Sequence, residues 1–236
     1  MKNLFLTLIF CFFAALNPTM AQSVDNLPAD KALEIRDPCA KFAQIRPKVK
    51  LRSSYGRLQY NYDYDSENLD IMAARNNLKE EGMFTAGLSL VDVDWSVSLN
   101  TISRSVDGDI CVIPASVDVF IGYRNPIIYI SNDLDKKSCR YQMVMRHEHQ
   151  HQQINVSVLE YYLPIIKKEL EKSLDILTVR AASDDEDPDI ITDDMNSNYA
   201  EIVRPLVNRL QITLQIEQQR LDNRENYQYE TELCND

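Results

Sequence analysis

Val91-Asp92-Val93-Asp94-Trp95-Ser96-Val97-Ser98-Leu99 places an apolar residue at every odd position and a short polar one at every even position. Successive side chains of a strand point to opposite faces, so the stretch predicts a strand with Val91, Val93, Trp95, Val97 and Leu99 against a core. Such a strand needs a neighbour along its edge and a layer over its apolar face. Downstream, Asp107-Gly108 is a tight-turn signal. It leads into a second long strand from about Ile110 to Tyr123, where Pro114 implies an edge position or a bulge. Asn125-Pro126 reads as a further turn before the short apolar strand Ile127 to Ile130. Upstream, Leu58, Tyr60, Tyr62 and Tyr64 alternate with Gln59, Asn61 and Asp63, which predicts a strand with one buried face. Ser66 then reads as the N-cap of a helix striped by Leu69, Met72 and Ala73 and ended by Gly82.

The covering layer comes from the rest of the chain. After Ser131 the pattern turns helical and no glycine occurs again. Two long helical segments are predicted, about Lys137 to Val179 and about Asn198 to Tyr229, with Pro164 kinking or dividing the first. The acidic run Ser183 to Asp189 between them lacks the glycine and ligand spacing of a calcium loop and reads as a solvated connector. The fold expected over residues 57–236 is therefore one α+β domain: a small antiparallel sheet with one early helix, covered by a C-terminal hairpin of long helices.

Residues 1–21 have the order of a secretory signal, Lys2 followed by the apolar run Leu4 to Leu16 and a cleavage site after Ala21. The apolar run is shorter than the roughly 30 Å of bilayer needs, so no membrane association is expected once the signal is removed. Residues 22–56, interrupted by Pro28, Pro38 and Pro47, read as a loosely held arm with at most a short helix near Lys31 to Arg36. The net charge of −11 argues against nucleic acid as a partner, because phosphate binding needs clustered Lys and Arg. Cys39, Cys111, Cys139 and Cys234 remain after cleavage, and an even count in an exported chain reads as two disulfides. A periplasmic or secreted location is expected.

The chemistry lies in Arg146-His147-Glu148-His149-Gln150-His151, an HExxH motif that holds all three histidines of the protein. Four residues of helix return His147 and His151 to one face, where both reach one Zn2+ ion. Glu148 stands beside the open coordination position as general base. His149 points away from that face. A catalytic zinc needs a third protein ligand. Glu171 stands at the interval used by thermolysin-like enzymes, but twenty residues of helix are about 30 Å, so it requires a sharp turn near Pro164. An antiparallel helix hairpin instead sets Thr178 opposite about Ser197 and His149 opposite about Asn226, which brings Asp222, Glu225, Glu230 and Glu232 into reach. The same register sets Cys139 near Cys234 and leaves Cys39 to pair with Cys111.

Gly108-Asp109-Ile110-Cys111-Val112, the run Arg146 to Ile154, and Tyr227-Gln228-Tyr229-Glu230-Thr231-Glu232 together resemble the bacterial family of predicted secreted zinc-dependent proteases, the domain of unknown function 922, over about residues 58–234. In that family's closing motif, Tyr-Asp-x-Glu-Thr-x-His-Gly, Tyr227, Glu230 and Thr231 match, whereas Gln228, Leu233 and Cys234 depart. Leu233 stands where the motif has histidine, and Glu230, three residues earlier on the same helical face, is the natural substitute. The resemblance implies zinc on His147, His151 and Glu230, with Glu148 as base and Tyr227 or Tyr229 steadying the oxyanion. The expected activity is hydrolysis of peptide bonds in a peptide or protein substrate through a metal-activated water. Strand 127–130 is expected to line the cleft and pair with an extended substrate. Gln153 and Leu233 favour a second reading, a non-catalytic envelope protein that keeps the fold to bind metal or a partner. A third reading is hydrolysis of another amide, such as a cell-wall peptide cross-link.

Overall fold

A computed structural model describes residues 37–78, 84–182 and 186–234, and its frame is one long hairpin of β3 (Gly87–Val106) and β4 (Asp109–Ile130). Asp107 and Gly108 join them with φ of 54° and 102°, both in the left-handed region that a two-residue hairpin turn demands. The pairing sets Val93 beside Tyr123, Trp95 beside Ile121, Val97 beside Val119 and Leu99 beside Val117. These cross-strand pairs form one apolar face, as the alternation from Val91 to Leu99 predicts, and that face packs into the main core. The ladder shifts register between Asn100 and Thr101, opposite Pro114 to Ser116, so Pro114 does mark a bulge.

The far edge of β4 is covered as well. β1 (Lys48–Ser54) and β2 (Gln59–Asn61) lie in line along it, both parallel to β4, and β5 (Arg180–Ala182) pairs antiparallel with Ile110 to Val112. The sheet is therefore mixed, not antiparallel as expected. Residues 37–56 are likewise part of the folded body: Cys39 is disulfide-bonded to Cys111 on β4, and β1 is a sheet strand. The signal segment and the short helix expected near Lys31 to Arg36 lie outside the described residues. Asn125-Pro126 is not a turn but a bulge inside β4, with Asn125 at φ 48°. Gly56, between β1 and β2, passes this point at φ 71°, where a Cβ would lie 2.4 Å from Pro126 Cδ. Because Ile127 to Tyr129 pair with β3 on one side and β2 on the other, strand 127–130 offers no free edge to a substrate.

Only Gln59 to Asn61 of the stretch from Leu58 to Tyr64 join the sheet, and Tyr60, Tyr62 and Tyr64 are 42%, 37% and 39% exposed. The expected buried face is an open aromatic row, in which Tyr60 stacks on Tyr62. Helix α1 (Ser66–Arg75) is capped by Asp65, one residue before the expected Ser66, and ends at Asn76. Gly82 lies outside the described residues.

Helix α2 (Cys139–Lys172) begins at the Ser138 cap and runs through Pro164 without a break, about 50 Å at 1.5 Å per residue. Helix α3 (Pro188–Leu221) starts with Pro188 behind the Asp187 cap and runs back along α2, ten residues earlier than the sequence pattern suggests. Tyr199 Oη donates to the Leu170 carbonyl at 2.7 Å, and the Tyr162 and Thr213 hydroxyls bond at 2.7 Å. Leu159, Ile166 and Leu170 of α2 and Met195, Val203 and Leu210 of α3 fill the layer against the sheet, each fully buried side chain contributing roughly 1.5–3 kcal/mol. Helix α4 (Arg224–Glu232) follows after a two-residue break, so the second long helix is interrupted, not continuous to Tyr229. Among the described residues, no helix is long and apolar enough to cross a membrane.

Candidate metal centre

His147 and His151 stand one turn apart on the face of α2 that meets the end of α3, and both are buried. Their Nε2 atoms are 3.1 Å apart. Asp222 closes the group. It is the residue at which α3 ends, with φ −79° and ψ 57°, and Asn223 follows in extended conformation as the N-cap of α4. Asp222 Oδ1 lies 3.0 Å from Nε2 of His147 and 3.0 Å from Nε2 of His151. The three donor atoms thus form a nearly equilateral triangle. Neighbouring donors of a tetrahedral zinc with bonds of about 2.0–2.1 Å lie about 3.3 Å apart, so His147, His151 and Asp222 fit one ion with little movement.

The remaining ring nitrogens are engaged. Nδ1 of His147 donates to Glu230 Oε2 at 3.0 Å, and Nδ1 of His151 donates to Gln218 Oε1. Gln218 is held in turn, its Nε2 donating to Asn155 Oδ1 at 2.7 Å and to the His151 carbonyl at 3.2 Å. With both Nδ1 protons directed outward, both Nε2 lone pairs point at the common centre, the arrangement that metal-binding histidines need. Tyr227 donates from its hydroxyl to Asp222 Oδ1 at 2.7 Å, and its ring stacks on His147 with centroids 4.9 Å apart.

Third-ligand geometry therefore differs from the expectation. Glu230 meets His147 on the side of the ring away from the other donors, and Asp222 occupies the position assigned to it. The physical reason is helix register. His151 faces Gln218 and His147 faces Asp222, about six residues short of the expected alignment. The turn of 3-10 helix at Ser173–Ile176 and strand β5 take up residues that the pattern assigned to the first helix and the connector. The break at Asp222 and Asn223 absorbs the offset, so α4 returns to the expected register and Cys139 does pair with Cys234. Glu225 and Glu232 are exposed on α4, and Glu171 pairs with Lys167 near the far end of α2. The hydroxyl of Tyr227, expected at an oxyanion, bonds Asp222. His149 lies outside the group as expected, its Nδ1 donating to the Met145 carbonyl and its Nε2 accepting from Tyr60 Oη.

Glu148 is buried beneath the start of β3. A Cβ on Gly87 would lie 2.5 Å from Glu148 Oε1 and 2.6 Å from Val144 Cγ1, so glycine is what allows β3 to approach the carboxylate this closely. Glu148 Oε2 is buried and has no hydrogen-bond partner among the described residues. Burial pushes the Glu148 carboxyl up to about 7 against the pull of His151 and His147, with Asp222 and Glu230 adding to the rise. Burial disfavours a charged His151 ring, but the Asp222 carboxylate outweighs it and raises the ring to about 9. Asp222, although burial acts the other way, is held far below the usual carboxylate range by the two histidines and Tyr227. Proton and metal compete for the same Nε2 atoms.

Gln218, Asn155 and Gly87 were not singled out from the sequence. Gln218 and Asp222 repeat on α3 the four-residue spacing of His147 and His151 on α2, a signal that becomes readable only when the hairpin register is known. Comparison of the chain with protein-family models, with curated proteins and with solved structures finds no match.

Proposed function

We propose that the protein is an exported zinc-dependent metallopeptidase whose metal is held by His147, His151 and Asp222 and whose general base is Glu148. One observation carries the reading: three donors converge at 3.0–3.1 Å beside a buried carboxylate whose Oε2 has no partner among the described residues. A cluster serving stability alone gains nothing from that carboxylate, since an unsatisfied buried oxygen costs about 1–3 kcal/mol. A hydrolase needs it, as the group that takes a proton from the attacking water and returns it to the leaving amine. Two imidazoles and a carboxylate are a donor set that suits zinc. When bound, zinc supplies Lewis acidity to the scissile carbonyl and lowers the pKa of water toward neutrality.

The chain's own residues account for the remaining requirements. Glu230 and Gln218 fix the two rings, and Tyr227 orients Asp222. Among the described residues β3 pairs with β4 alone, so the outer edge of β3 at Gly87 to Leu90, beside Glu148, is the edge on which an extended peptide would lie. Two disulfides support a location outside the reducing cytoplasm. The likeness of the HExxH run and of Tyr227, Glu230 and Thr231 to the secreted zinc-dependent protease family supports the same reading.

Purified protein is expected to hold one zinc per chain and to cleave an unfolded protein substrate. Glu148→Gln should retain the metal and lose about 10²–10⁴-fold in rate, whereas His151→Ala should lose the metal. Undiminished cleavage by Glu148→Gln would refute the mechanism. Equal zinc in wild type and His151→Ala would refute the centre.

A further inference from the structure

The two disulfides differ in the properties that decide whether a reductant opens them. Cys39 and Cys111 are both 0% exposed, packed with Val106 and Ile113, so a reductant reaches them only through unfolding. Cys139 is exposed and is the first residue of α2, directly behind the Ser138 cap. Free N–H groups and the dipole at the start of a long helix stabilise a thiolate there. Cys139 is therefore the better leaving group when a thiolate attacks Cys234 Sγ.

What this bridge holds is α4, the helix whose Glu230 and Tyr227 orient His147 and Asp222. Its nine residues bury one side chain, Glu230, while Tyr229 and Leu233 are 58% and 42% exposed. A helix this short, with no buried apolar side chain, does not persist alone. Beyond the bridge, Glu230 ties it to His147 and to Arg146, and Tyr227 ties it to Asp222 and stacks on His147.

We propose that Cys139–Cys234 is a redox latch on the metal centre: opening it releases α4 and weakens metal binding, while Cys39–Cys111 keeps the fold closed. The inference rests on the reading of His147, His151 and Asp222 as a metal site. In reduction by a dithiol, the attacking thiolate forms a mixed disulfide with Cys234 and Cys139 leaves as thiolate. The second thiol then displaces Cys234 and closes the reagent to a cyclic disulfide. Two electrons pass from the dithiol to the protein, and the two cysteine sulfurs take up two protons. His147 then loses its Glu230 acceptor and Asp222 loses its Tyr227 donor, changes of a kind that lower metal affinity about 10–100-fold.

The test treats the native full chain with dithiothreitol, alkylates it, maps the modified cysteines, and measures zinc affinity by competition with a chromophoric chelator after the reductant is removed. Cys139 and Cys234 should be modified while Cys39 and Cys111 stay protected until denaturant is added. Zinc affinity should fall at least tenfold and recover when the unalkylated protein is reoxidised. The double variant Cys139→Ser, Cys234→Ser should show the weakened affinity without reductant and no further response to it. Opening of all four cysteines together, or unchanged affinity after selective opening, would overturn the latch and leave the metal centre standing. Absence of zinc binding in the oxidised wild type would instead remove the centre itself and the latch with it.

Discussion

Asp222 and Glu230 both contact His147, but on opposite sides of the ring, and this separates a candidate ligand from the carboxylate that orients the ring. Asp222 Oδ1 faces both Nε2 atoms, whereas Glu230 faces Nδ1. Glu230→Gln keeps an oxygen acceptor for Nδ1 and should weaken zinc binding about 10–100-fold. Asp222→Ala removes a donor from a three-donor site and should weaken it further, beyond about 100-fold. Chelator competition measures both, and a larger loss for Glu230→Gln than for Asp222→Ala would return Glu230 to the metal. Gly87 sets the other limit on the site. In Gly87→Ala the new methyl meets a carboxylate that cannot retreat, because Glu148 is buried. The cost is about 1–3 kcal/mol of overpacking, and peptide cleavage should fall while zinc content holds. Wild-type rate and stability in that variant would show that β3 does not confine Glu148.

At the scale of the elements, the helix hairpin is aligned by contacts that no local pattern reveals. Tyr199 on α3 reaches the Leu170 carbonyl near the end of α2 and is itself fully buried. Tyr199→Phe keeps the ring and removes the bond, so chemical denaturation should show a loss of about 1 kcal/mol, and a neutral result would mean that packing alone sets the alignment. What was legible from sequence divides along the same line. The β3 face, the Asp107-Gly108 turn, the bulge at Pro114 and the pairing of His147 with His151 rest on spacing within a few residues, and all of them are present. The direction of β1 and β2 is set by pairing with β4 across about 70 residues, and nothing between Lys48 and Asn61 encodes whether that pairing is parallel. The choice of Asp222 over Glu230 depends on where α3 begins, and that depends on β5 taking Arg180 to Ala182 into the sheet. Tyr60, Tyr62 and Tyr64 alternate as a buried strand would, yet they are exposed, because alternation does not report what lies above a face.

For the whole molecule, the candidate metal centre joins parts that are far apart in the chain. His147 and His151 come from the first half of α2, Asp222 from the end of α3, and Glu230 from α4, which Cys139–Cys234 fastens back to the start of α2. A ligand that binds only the folded arrangement stabilises it by mass action, by about 2.7 kcal/mol at a free concentration 100-fold above Kd. For a domain of this size each kcal/mol shifts Tm by roughly 2–4 °C. Zinc at that excess should therefore raise Tm by about 5–10 °C over protein stripped with a chelator, both disulfides being intact. His151→Ala should melt at the same temperature with and without zinc, because two remaining donors bind too weakly to contribute. The shift should also grow with the logarithm of zinc concentration, which distinguishes linked binding from a nonspecific salt effect. A Tm indifferent to zinc in the wild type would mean that the donors converge without holding an ion, and the hydrogen bonds that Glu230 and Gln218 accept from the histidines and Tyr227 donates to Asp222 would then be the whole purpose of the arrangement.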